Sequence, residues 1–156
     1  MILPQRPELA DAASVANAAG THNLPNQIDL TVARDIGNGR PLYLAVTVDT
    51  EIITGGSAGT IEFRVVSDAS ASIATDGSAS LHYRSQAFVT DGTDATEMRA
   101  GKTVVMLALP LEALEPYERY LGVQYVVGTT TITAGAVNAF LTPDPSAWKA
   151  MADATN

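Results

Sequence analysis

The 156 residues predict an all-β protein: an antiparallel two-sheet β-sandwich, jelly-roll-like, with an irregular N-terminal arm. Three observations carry that expectation. Turn signals recur along the chain, as GNG at 37–39, GGSAG at 55–59, Asp76-Gly77, DGTD at 91–94, and then Gly101, Gly122, Gly128 and Gly135. The runs between them are short and rich in Val, Ile, Thr, Leu, Tyr and Phe, the residues that suit a pleated surface. Two of those runs alternate apolar and polar residues with a period of two, which places one face in a core.

Taken in order, residues 1–26 contain three prolines and a stretch of small residues without a strong period, and are expected to form the arm. Within it, Leu9 to Ala19 suits a short helix as well as an extended strand. Residues 27–142 are the expected sandwich domain. Its less marked strands are QIDLTVA at 27–33 and SASLHYRS at 78–85. In LYLAVTVD at 42–49, Leu42, Leu44, Val46 and Val48 share one face, and Tyr43, Ala45, Thr47 and Asp49 the other. In TIEFRVV at 60–66, Ile61, Phe63 and Val65 point inward while Glu62 and Arg64 stay wet. The runs at 103–109 (TVVMLAL) and 119–127 (RYLGVQYVV) are more uniformly apolar, as for strands covered on both faces or lying at a subunit contact. AVNAFLT at 136–142 ends the series, with 125–142 read as the last hairpin and GGSAG as a hairpin loop. PLEALEPYER at 110–119 is a loop with a turn, because Pro116 stops any helix early. Residues 143–156, with further prolines and the single Trp148, form a C-terminal tail.

Composition narrows the function. Hydrophobic residues make up 46% of the chain and charged ones only 17%, against about 25% in typical domains, so the chain folds around one core. There is no cysteine, hence no disulfide and no thiolate metal site. Nine Lys and Arg against 17 Asp and Glu give a net charge of −8, and a nucleic-acid phosphate surface repels such a chain. Neither a secretory leader nor a membrane span is expected, so the protein is read as soluble and made in the cytoplasm.

Catalytic patterns are weak. His22 and His82 are too few for a histidine zinc centre, no Ser sits in a Gly-x-Ser-x-Gly elbow, and GGSAGT lacks the lysine of a phosphate loop. Asp91, Asp94 and Glu97 lack the spacing of a calcium loop and read as an acidic turn. Glu112, Glu115 and Glu118 would act as paired acids only if burial raised one pKa, and read as a rim. The expectation is a non-enzymatic protein with no catalytic residue, cofactor or metal, acting by what it binds.

Several segments carry a resemblance. Asp35, Gly37, Gly39, Pro41, Leu42 and Tyr43 match one line; Arg119, Tyr120, Leu121, Tyr125, Val127 and Gly128 a second; Thr133, Ala134, Gly135, Val137, Ala139, Phe140 and Leu141 a third. Together they resemble the phage capsid cement proteins of the Bbp16-like family. Two departures stand out: Gly122 occupies a position where a larger residue is common, and the middle from Asp68 to Met98 is long. The resemblance implies a jelly-roll-like sandwich on the outer capsid surface of the virion, made in the host cytoplasm, with the major capsid protein and a symmetric homo-oligomer (dimer or trimer) as partners, and with no nucleic acid or membrane. The apolar strands at 103–109 and 119–127 are then expected to touch a sister subunit, and the arm to reach a neighbouring capsid subunit. Candidate interface residues are Ile2, Leu3 and Leu9 in the arm and the aromatic Tyr117, Tyr120 and Trp148. Two rival expectations are a carbohydrate-binding or adhesion sandwich, with Trp148 or Tyr117 stacking on a sugar, and a small hydrolase using the acidic groups at 91–97 or 112–118.

Overall fold

A computed structural model of the chain describes residues 8–33, 41–56, 58–91, 98–110 and 116–145. Among these residues ten strands follow one another: β1 (Glu8–Ser14), β2 (Gly20–Asn23), β3 (Ile28–Asp29), β4 (Tyr43–Thr54), β5 (Thr60–Asp68), β6 (Ser80–Arg84), β7 (Phe88–Val89), β8 (Thr103–Ala108), β9 (Tyr120–Gly128) and β10 (Ile132–Thr142). They form two antiparallel sheets, a four-stranded one in the order β1-β10-β4-β8 and a six-stranded one built on β2-β9-β5-β6, with β3 added to β9 and β7 to β5.

The order has a simple logic. With the two-residue strands β3 and β7 set aside, the first strand pairs with the last (β1 with β10), the second with the second-last (β2 with β9), and so inward through β4 with β8 to β5 with β6. That is one long antiparallel ribbon, and wrapping it brings β10 against β4 and β9 against β5 to complete the two sheets. The result is a jelly roll, as the sequence predicts. Wrapping also sends the chain from one sheet to the other at most connections. The two segments read as hairpins are therefore crossovers: β4 and β5, joined through 55–59, lie in different sheets, and so do β9 and β10.

The inner faces follow the alternation. Leu44, Val46 and Val48 of β4 oppose Leu141, Ala139 and Val137 of β10, and all six are buried. Ile61, Phe63 and Val65 of β5 meet them from the other sheet together with Leu121, Val123, Tyr125 and Val127 of β9. Each large apolar side chain so buried contributes about 1.5–3 kcal/mol relative to exposure. Gly135 is the point where β10 must bend: its φ is +142°, the register shifts around it, and a Cβ there would lie 2.8 Å from the Ile52 Cα.

Several expectations change. Residues 8–26 are not an arm, because β1 and β2 are integral members of the two sheets; residues 1–7 lie outside the described residues. A run as rich in alanine as β1 carries little strand signal, and its pairing with β10 supplies what propensity lacks. The bulge in β1 puts Ala12 at φ +44° and turns its N–H onto the Asn138 side-chain oxygen at 2.6 Å, which distorts this edge strand. The strand expected at 27–33 shrinks to Ile28–Asp29. The two uniformly apolar strands part company: β9 is central and almost wholly buried, while β8 is an edge strand in which only Val105 is buried.

Candidate interaction surface

Leu9 and Tyr117 do not lie on the surface. Leu9 points into the core from β1 and is 1% exposed. Tyr117 is 0% exposed; its hydroxyl donates to the Pro110 carbonyl at 3.0 Å, and its ring lies 4.2 Å from that of His82. Both therefore act inside the sandwich, where hydrophobic burial outweighs any use as a contact. Tyr120 is half-buried at the start of β9. Ile2, Leu3 and Trp148 lie outside the described residues, as do GNG at 37–39, Asp94, Glu97, Glu112 and Glu115.

Around Tyr120 the strand ends carry a fixed polar cluster. Arg119 grips Asp29 through two hydrogen bonds of 2.9 Å each, and its guanidinium sits 4.9 Å from the centre of the Tyr120 ring. β3 pairs with β9 here, Asp29 facing Tyr120 in register, so the backbone ladder holds the two charges together. The Arg119 hydrogen bond, helped by the Thr31 N–H, holds the Asp29 carboxyl down to about 2.

A second cluster has the residue types of nucleophilic catalysis. Ser67 Oγ lies 2.7 Å from His82 Nε2, and Glu118 is adjacent. Ser67 Oγ also accepts the Glu118 N–H at 2.9 Å, while the Glu118 carboxylate accepts the Ser80 hydroxyl at 2.7 Å. Ser67 is 0% exposed, so no carbonyl can approach it. The group instead clasps the 116–118 segment onto the β5–β6 hairpin. Among the described residues no group of three His, Cys, Asp or Glu stands close enough to hold a metal ion.

The outer face of the six-stranded sheet carries a further set of ordered polar contacts. The loop between β5 and β6 folds back over it. Asp68 accepts the Ser70 and Ala74 N–H groups, which turn the loop, and these bonds hold its carboxyl below the usual range. Ile73 then drops onto Gly122, where it occupies the room a side chain would need. Three amide bonds pin it: Asn23 Nδ2 to the Ile73 carbonyl at 2.7 Å, and Gln124 Nε2 to the Ala74 carbonyl at 2.8 Å and to Asn23 Oδ1 at 2.9 Å. An open cleft of about 190 Å³ remains between this loop and residues 23–27.

Further along the same face, Glu62 lies between Arg64 at 2.6 Å and Arg84 at 2.9 Å. Burial pushes the Glu62 carboxyl up, but the two arginines together outweigh that and hold it below the usual range. Leu81 on β6 and Val89 on β7 are 52% and 48% exposed. Sequence reasoning passed over all three of Leu81, Arg84 and Val89, because only the register of β6 and β7 on β5 brings them to one edge.

The profile of the Bbp16 family matches residues 9–141, from the start of β1 to the end of β10. Among curated proteins none matches the chain. Six of the described motif residues belong to the core: Leu121, Tyr125 and Val127 on β9, and Val137, Ala139 and Leu141 on β10. The match spans both sheets, and the chain belongs to the Bbp16 family.

Proposed function

We propose that the protein is a cement protein of tailed-phage heads, which binds the outer surface of the assembled shell as a symmetric homo-oligomer and ties neighbouring major capsid proteins together. The observation that carries the reading is membership of the Bbp16 family over residues 9–141. A jelly roll is an architecture common among capsid and lectin domains, which supports a binding role. The net charge of −8 suits the exterior of a shell better than its DNA-lined interior.

The energetics of such a role are those of linkage. A ligand that binds only the closed lattice stabilises that state against its separated subunits, and many copies on a symmetric lattice add avidity. The test is co-sedimentation of purified protein with matching cement-free mature heads and with unexpanded precursor shells, followed by heating. Saturable binding to mature heads and a raised disruption temperature are expected. Absence of binding to either shell overturns the reading, and reproducible sugar binding in its place would point to a carbohydrate-binding sandwich.

A further inference from the structure

Along one edge of the six-stranded sheet, β6 and β7 both pair with β5. Opposed residues of an antiparallel pair show their side chains on the same face. Val89 stands opposite Thr60, Arg84 opposite Arg64 and Leu81 opposite Val66. Thr60, Arg64 and Val66 alternate with the inward Ile61 and Val65, so Leu81, Arg84 and Val89 share the outer face. Thr60 and Val66 are six residues apart on β5, so the three form a stripe about 20 Å long. Its ends are apolar and half exposed, and its centre is a guanidinium whose side chain is 59% exposed and steadied by Glu62.

We propose that this stripe is a docking surface for a segment of a different protein that presents a carboxylate between two apolar side chains. Charge selects the class of partner. At the centre of the stripe two arginines face Glu62, which leaves that point locally positive on a chain of net charge −8. Asp68, the next outward residue of β5 beyond Val66, puts a carboxylate at the Leu81 end, where it accepts the Ser70 and Ala74 N–H groups. A second copy of the chain is a poor occupant, because a twofold axis through the centre would set Arg84 against its own copy. An acidic side chain would instead meet Arg84 already oriented by Glu62, which lowers the ordering cost of binding. The apolar contacts at Leu81 and Val89 supply the burial. This inference rests on the cement reading, with the capsid shell as the protein bound.

Cement-free mature heads are the probe. Arg84→Glu, and separately the double substitution Leu81→Ser with Val89→Ser, should each weaken binding to the heads at least about tenfold, and for the double substitution thermal unfolding of the free protein should stay near that of the parent. The double substitution leaves the Glu62 ion pairs untouched, so it tests the stripe even if Arg84→Glu perturbs folding. Parental affinity in both variants overturns the docking stripe and leaves the cement reading standing. Failure of the parent itself to bind heads overturns both.

Discussion

Ile73 fills the space that a side chain on Gly122 would occupy. The glycine in β9 and the segment after Asp68 are thereby one feature: the loop needs a seat on the sheet, and the missing side chain makes it. The surrounding loop is made of small and polar residues, so Ile73 is the apolar anchor that holds it down.

Gly122→Ala should therefore cost about 1 kcal/mol, since the obstruction is the far end of a flexible side chain, and Gly122→Val should cost more. Combining Gly122→Ala with Ile73→Ala should cost less than the sum of the two, by about 0.5 kcal/mol or more. Urea denaturation of the four members of the cycle measures it. Strict additivity would mean that Ile73 does not use this seat.

Gly135→Ala meets a harder obstacle, because the backbone of Ile52 lies in the way and φ is +142°. The expected loss is roughly 3 kcal/mol, the sum of strain and overpacking. Gly101→Ala has a similarly unfavourable φ of +83° but open space, and should lose only about 1 kcal/mol. Equal losses in chemical denaturation would remove the close approach to Ile52 as the cause.

Acid should expose the Asp29–Arg119 pair. The carboxyl of Asp29 titrates at about 2 in the folded chain against 3.8 ordinarily. A lowered folded pKa means that the unfolded chain takes up the proton first as pH falls, so the stabilisation is present above about pH 4 and is lost towards about pH 2. Glu62, Asp68 and Asp76 shift in the same direction, so the comparison must be with Asp29→Asn. The parent should unfold at a higher temperature than Asp29→Asn near neutrality and converge with it at about pH 2. A constant gap across that window would contradict the linkage.

Tyr117 separates core from contact. Tyr117→Phe loses the hydrogen bond to the Pro110 carbonyl and should cost about 1 kcal/mol, and Tyr117→Ala about 4 kcal/mol. Because the ring is fully buried, Tyr117→Phe should leave affinity for cement-free heads unchanged. A Tyr117→Phe protein that remains folded at the assay temperature but binds heads more weakly would return Tyr117 to the interface.

Local pattern was enough for some elements. The alternation in β4 and β5 names Leu44, Val46, Val48, Ile61, Phe63 and Val65 as core, and all six are buried. A strand's period is written in its own residues, but the expectation of a wet outer face fails: Ala45, Thr47, Val66 and Glu62, which was expected to stay wet, are buried as well. Composition likewise sufficed for the all-β class. It did not suffice for β1 or β2, whose alanine, glycine and polar residues become strands by pairing with β10 and β9.

The sequence by itself determined that the runs of β4 and β5 extend, which large apolar side chains of theirs turn inward, and that the chain is acidic and free of cysteine. Tertiary structure alone decided that Glu8 meets Phe140, that Ile73 meets Gly122, that Tyr117 is interior, and that Leu81, Arg84 and Val89 line one edge. The physical reason is separation along the chain. A jelly roll pairs its first strand with its last, so its most informative contacts join residues with no local signal of each other, and register across several strands sets what the surface presents.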